Sequence, residues 1–159
     1  AQSCYIPGIF DRAAARRDDG ILALCGALDH LVLTVADPEA TALFYEKVLG
    51  MKRVVFGAGR LALRFGCQKI NLHEKGREIA PFARRPTPGS ADLCFITRSP
   101  LPAFMAALEK AGGRVELGPV ERTGARSKLL SIYFRDPDGN LIEVSNEVPD
   151  ESPGADDRE

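Results

Sequence analysis

Apolar positions along the chain switch between strand-like runs and helical spacing, and Gly and Pro mark the switches. Leu28-Asp29-His30-Leu31-Val32-Leu33-Thr34-Val35 is apolar and β-branched and predicts a strand. Asp37-Pro38 then offers an N-cap and a first-turn proline. Ala42, Leu43, Tyr45, Val48 and Leu49 follow at helical spacing, and Gly50 suits a left-handed stop. Short strands are predicted next over residues 52–56, 60–65 and 68–73, broken by Gly57-Ala58-Gly59 and Gly66-Cys67.

Residues 77–90, with Pro81, Pro86, Pro88, Gly89 and the pair Arg84-Arg85, read as a linker, after which the pattern restarts. Residues 91–97 predict a strand. Ser99-Pro100 opens a helix over Ala103, Phe104, Ala107 and Leu108, which Ala111-Gly112-Gly113 ends. Strands follow over residues 114–117, 129–135 and 140–145, the last two joined by the turn Asp136-Pro137-Asp138-Gly139. The order β-α-β-β-β thus occurs twice, with first strands beginning at Leu28 and Ala91, 63 residues apart. Such an internal duplication predicts an α+β fold of two βαβββ repeats, residues 27–76 and 91–146. One helix covers one face of each half-sheet, so the uncovered faces are expected to curl into an eight-stranded mixed-sheet cleft with the helices outside.

Composition narrows the function. At 159 residues, 45% hydrophobic and 27% charged, the chain has material for one globular core. No apolar run approaches the roughly 20 residues of a membrane span. The net charge of −1 leaves no broad basic footprint for nucleic acid. Residues 147–159 form an acidic tail with six acids against Arg158 alone, so residues 1–146 carry a net +4, which suits a small anionic ligand. Residues 1–26 read as a second tail, in which Asp11, Asp18 and Asp19 offset Arg12, Arg16 and Arg17 and argue against an organellar transit peptide. Cys4, Cys25, Cys67 and Cys94 form no CxxC pair, which points to reduced thiols and a cytoplasmic location.

Four metal-ligating residue types fall on the first and last strands of the repeats: His30, His73, Asp92 and Glu143. Alternation puts Cys94 on the face of Asp92 and lets the four converge near a pseudo-twofold axis. Two imidazoles with two carboxylates suit a divalent ion such as Zn, Ni, Mn, Fe or Co. A single strand His or Glu carries little weight, and the case rests on the set. Arg122, Thr123 and Gly124, with Arg126 beyond, read as a loop that binds an anionic part of a small-molecule substrate, and Tyr133 as a hydroxyl able to bond an oxyanion.

Asp29-His30 with its strand, Phe44-Tyr45, Leu49-Gly50 and the segment from Phe134 through Asp136-Pro137-Asp138-Gly139-Asn140 to Glu143 together resemble the vicinal oxygen chelate superfamily. That superfamily includes glyoxalase I, fosfomycin-resistance thiol transferases, extradiol dioxygenases and bleomycin-binding proteins. Within it, Lys69-Ile70-Asn71-Leu72-His73 and the segments 85–90 and 118–125 are similar to the group around glyoxalase-domain-containing protein 5. The resemblance covers residues 28–146. It implies a glyoxalase-like metalloenzyme doing metal-assisted proton transfer of the isomerase or lyase type, with His30 and Glu143 as ligands and Glu143 as the base. His73 matches a place where glyoxalase I has a carboxylate, and Asp92 one where relatives carry histidine. A homodimer is implied as well. The alternatives are an extradiol-type dioxygenase, a thiol transferase and a small-molecule-binding module without catalysis.

Overall fold

The structure, a computed structural model, describes residues 27–149. The first repeat runs β1 (His30–Val35), α1 (Pro38–Leu49), β2 (Lys52–Phe56), β3 (Arg60–Phe65) and β4 (Gln68–Glu74). The second runs β5 (Asp92–Ile96), α2 (Leu101–Lys110), β6 (Leu117–Thr123), β7 (Lys128–Arg135) and β8 (Leu141–Val148). This is the α+β architecture of two βαβββ units that the duplication predicts.

Local chemistry accounts for the first helix. The Asp37 carboxylate accepts from the amides of Glu39 and Ala40 at 2.9 and 3.1 Å, and Gly50 closes the helix at φ 65°. The second helix starts differently. Pro100 cannot cap it with a side chain, and the amide of Leu101 donates instead to Asn146 Oδ1 on β8 at 3.3 Å.

The strands form two mixed sheets of four, in the orders β1-β4-β3-β2 and β5-β8-β7-β6. In each, the first strand runs parallel to the last and the remaining pairs are antiparallel. Leu33 and Val35, Ile70 and Leu72, Ile132 and Phe134, and Ile142 and Val144 alternate into a single buried cluster with Tyr45, Leu101 and Leu108 of the helices. The Phe134 ring lies 6.4 Å from Phe44 of α1 and 6.0 Å from Phe104 of α2. Both repeats therefore share one core, built from one face of each sheet. The intervening positions face the other way, among them His30, Val32, Asp92, Cys94 and Ile96, all exposed.

The Asp136–Asn140 turn clasps the repeats together. Asp136 is 5% exposed and accepts from the Tyr45 hydroxyl at 3.0 Å and the Asn140 amide group at 2.7 Å. Asp138 accepts from the amide of Ala36 at 3.0 Å, and Asn140 from that of Ala91 at 2.9 Å. Gly89 must be glycine: its φ is 75°, and a Cβ there would meet the Asp138 carbonyl at 2.5 Å.

Two expectations are corrected. The sixth strand is Leu117–Thr123 rather than residues 114–117, so Arg122 and Thr123 belong to a strand and not a loop. The last strand continues to Val148, and Glu147, assigned above to a tail, pairs with Leu129 in the β7–β8 ladder. Cys4, Cys25 and the charge pattern of residues 1–26 lie outside the described residues, as does the acidic stretch from Asp150.

Candidate functional site

Six of the expected residues meet on the outward face of the second sheet. Cys94 from β5, Arg122 and Thr123 from β6, Arg126, Tyr133 from β7 and Glu143 from β8 line one cleft of about 410 Å³. The ladder explains the meeting: Glu143 stands between Cys94 on one side and Tyr133 on the other. Arg122 Nε donates to the Tyr133 hydroxyl oxygen at 3.0 Å, and the phenol also meets the Glu143 carboxylate. Burial pushes the Tyr133 pKa up, and Glu143 adds to this while the Arg122 hydrogen bond opposes it. Cys94 as a residue is exposed, yet desolvation of its thiol, with the Glu143 charge in support, also raises its pKa. A thiol so placed stays protonated near neutral pH and acts as a weak donor. Arg126 is engaged with Glu147 at 3.2 Å. Arg84 and Arg85 are exposed on the linker and lie outside this cleft.

Asp92 lies on the same face, level with Leu141 and two residues along β5 from the Cys94–Glu143 pair. His30 is on the other sheet. Its Nδ1 is 2.7 Å from Asp29 Oδ2, so the neighbouring carboxylate fixes the ring and turns Nε2 outward. The sequence reading quoted Asp29 only as part of a motif and missed this role, although adjacent Asp-His is a visible signal.

His73 goes elsewhere. The parallel register sets His30 level with Lys69 and His73 level with Thr34. The two imidazoles are therefore four strand positions apart, about 13 Å at ~3.3 Å per residue, too far to share an ion with ligand bonds of about 2 Å. His73 is buried and borders a different depression of about 640 Å³, beside Arg60, Arg77 and the start of α1. Matching the two registers puts Asn71, not His73, in the place that Glu143 holds in the second sheet. Asn71 is 9% exposed, and its Oδ1 has no hydrogen-bond partner within the protein. Aligning the repeats by strand pairing rather than by strand ends would have singled it out.

Among the described residues of one chain, no three His, Cys, Asp or Glu side chains gather in a way that holds a metal ion. The donors instead form two partial sets, His30 on the first sheet and Asp92 with Glu143 on the second. No described helix is long and apolar enough to cross a membrane.

A fold of paired βαβββ units, with its polar sheet faces carrying an Asp-His strand and a Glu at the end of the second repeat, defines a class. The chain belongs to the Glyoxalase/Bleomycin resistance protein/Dioxygenase superfamily, whose family model matches residues 27–144. It is 53% identical over 133 residues to the virulence protein STM3117 of Salmonella typhimurium, an alignment that takes in 84% of this chain and 92% of that protein. The crystal structure of STM3117 superposes with a TM-score of 0.75 at 56% identity, covering 77% of this chain and 97% of that one. The chain is also 53% identical over 120 residues to the glyoxalase domain-containing protein RDO1 of Mycosarcoma maydis, covering 76% of this chain and 68% of RDO1. The metallothiol transferase FosB of Shouchella clausii matches at 29% over 129 residues, covering 76% of this chain and 80% of FosB.

Proposed function

We propose that the chain is a glyoxalase-like metalloenzyme that moves a proton on a small, anionic, oxygen-chelating substrate, and that each of its sites is completed by two copies of the chain. The observation that carries the reading is the second-sheet cleft, in which a carboxylate, a phenol and two guanidinium groups line one space. Family membership and a metallothiol transferase among the relatives support the metal.

His30, Asp92 and Glu143 are the residues that would hold the ion. An imidazole oriented by a carboxylate, together with two carboxylates, suits a divalent cation of the Zn, Ni, Mn, Fe or Co group. An ion held by them would supply Lewis-acid polarisation of the substrate. Glu143 takes the proton from one substrate carbon and returns it to the next. Tyr133, held by Arg122, donates its phenolic hydrogen to the oxyanion that develops. Thr123 and the Arg122 and Arg126 guanidinium groups orient the anionic part of the substrate, and Cys94 closes the floor as a neutral thiol.

The charges of the two outward faces support pairing between chains. His30, Lys69, Arg64 and Lys52 stand level across the first sheet, a basic row. The second face carries Asp92 and Glu143 on β5 and β8, with Glu147 already paired to Arg126. Opposed across a twofold axis, the basic row would face the Asp92 and Glu143 carboxylates, a pairing that suits a homodimer interface. A reducing, cytoplasmic setting fits a neutral Cys94 thiol.

The test is elemental analysis of the purified protein, followed by turnover of methylglyoxal–thiol adducts and of catechols. The reading expects about one divalent ion per chain, lost in His30→Ala and in Glu143→Ala. Metal content unchanged in both variants refutes it. Iron with oxygen uptake on catechols would replace the isomerase reading by a dioxygenase one.

A further inference from the structure

The second sheet buries two hydroxyls beside Glu143 on the same face. Ser131 and Ser145 stand opposite each other in the β7–β8 ladder, and both are 0% exposed. Their Oγ atoms are 2.8 Å apart, and Ser145 Oγ donates to Glu143 Oε1 at 3.2 Å. A hydroxyl has one hydrogen. With that of Ser145 committed to Glu143, the short contact behind it requires Ser131 to be the donor to Ser145. The Cys94 sulfur lies 3.5 Å from the same Ser145 oxygen. The series points one way, from Ser131 to Ser145 to the carboxylate.

We propose that Ser131 and Ser145 are positioning residues that fix the Glu143 carboxylate by this one-way series of hydroxyl donors. The inference rests on the reading of Glu143 as ligand and base, and adds to it the residues that make the carboxylate rigid. Ser145, two residues along β8, restrains the carboxylate through Oε1. A glutamate side chain turns about three bonds, and a ligand gains affinity when its outer partners remove that freedom.

Packing alone does not call for these serines. Buried strand positions favour β-branched and aromatic residues, and a hydroxyl taken out of water costs stability unless it is bonded. Nor does the duplication impose them. At the place of Ser145 the first sheet has His73, and where the second has Tyr133 and Glu143 it has Ala62 and Asn71. The hydroxyl pair occurs in the repeat whose last strand carries the carboxylate.

Mn²⁺ alone is a sufficient probe, with the free ion followed by electron paramagnetic resonance in titrations of the full chain and thermal unfolding measured beside it. Ser145→Ala is expected to weaken Mn²⁺ binding by about tenfold or more, as loss of an outer partner does. Ser131→Ala is expected to weaken it less. Ser145→Thr, which keeps a donor, is expected to bind within a few-fold of the parent chain, and Glu143→Gln not to bind. Ser145→Ala and Ser131→Ala binding Mn²⁺ like the parent, while Glu143→Gln does not, would overturn the positioning role and leave Glu143 as ligand. Affinity lost only in step with the melting temperature, and not restored by threonine, overturns it too. Mn²⁺ binding intact in Glu143→Gln, or absent from the parent chain, overturns the reading of Glu143 itself.

Discussion

Single side chains in this protein divide between those that hold the halves together and those aimed into the cleft. Tyr45 belongs to the first kind: it is 0% exposed, and its hydroxyl donates to Asp136 across 91 residues of sequence. Tyr45→Phe leaves a buried carboxylate short of one donor, at an expected cost of about 1–3 kcal/mol in urea unfolding. Burial, reinforced by the Asp136 charge, drives the Tyr45 pKa far upward. The sign follows. Its contribution is complete below the unfolded value of about 10 and declines as pH rises beyond it, where only the unfolded chain ionises this phenol. The parent protein should therefore lose more stability than Tyr45→Phe between about pH 9 and pH 11, and equal losses contradict the account. Glu143 belongs to the second kind. Glu143→Gln should keep the unfolding free energy within about 0.5 kcal/mol, as for a substitution outside the core, while turnover of any substrate found falls by at least about a hundredfold. A fully active Gln variant removes Glu143 from the base role.

Elements with their own punctuation were readable from the chain. Asp37-Pro38 and Gly50 bracket α1, and glycine-marked hairpins give β2 and β3 at the residues where they occur. The misses have physical causes. β6 contains Gly118-Pro119, which reads as a break, but β6 is an edge strand, where a missing N–H is tolerated, and its register shifts between Leu117 and Val120. The start of α2 is capped from β8, by Asn146 accepting from Leu101 and donating to the Thr97 and Ser99 carbonyls at 2.8 and 2.9 Å. No local pattern can announce a cap 45 residues away. Asn146→Ala should accordingly cost about 0.5–2 kcal/mol, the range for loss of an N-cap, and should speed amide exchange in the first turn of α2. Unchanged exchange there would show that Asn146 does not cap the helix.

At the scale of the molecule, alternation tells which residues share a face but not which faces meet. The sequence therefore grouped Cys94 with Asp92 and placed Glu143 near them, and the cleft does bring Cys94 and Glu143 together. It could not tell that the two sheets spend their apolar faces on one shared core, with His30 and Asp92 left exposed on the outward ones. His73 groups with His30 in the sequence because they lie on the last and first strands of the first repeat, and only the parallel register separates them. Two outward faces, each with part of a ligand set, carry the claim that the site is assembled between chains. Subunit mixing measures this directly. His30→Ala and Glu143→Ala chains, each unable to hold metal alone, are unfolded together in equal amounts, refolded and assayed for bound ion. If each site joins the first sheet of one chain to the second sheet of its partner, half of the dimers are mixed and have one intact site, so about a quarter of the parent metal content returns. If the mixture binds no more than the separate variants, the site is not shared and the central claim is wrong.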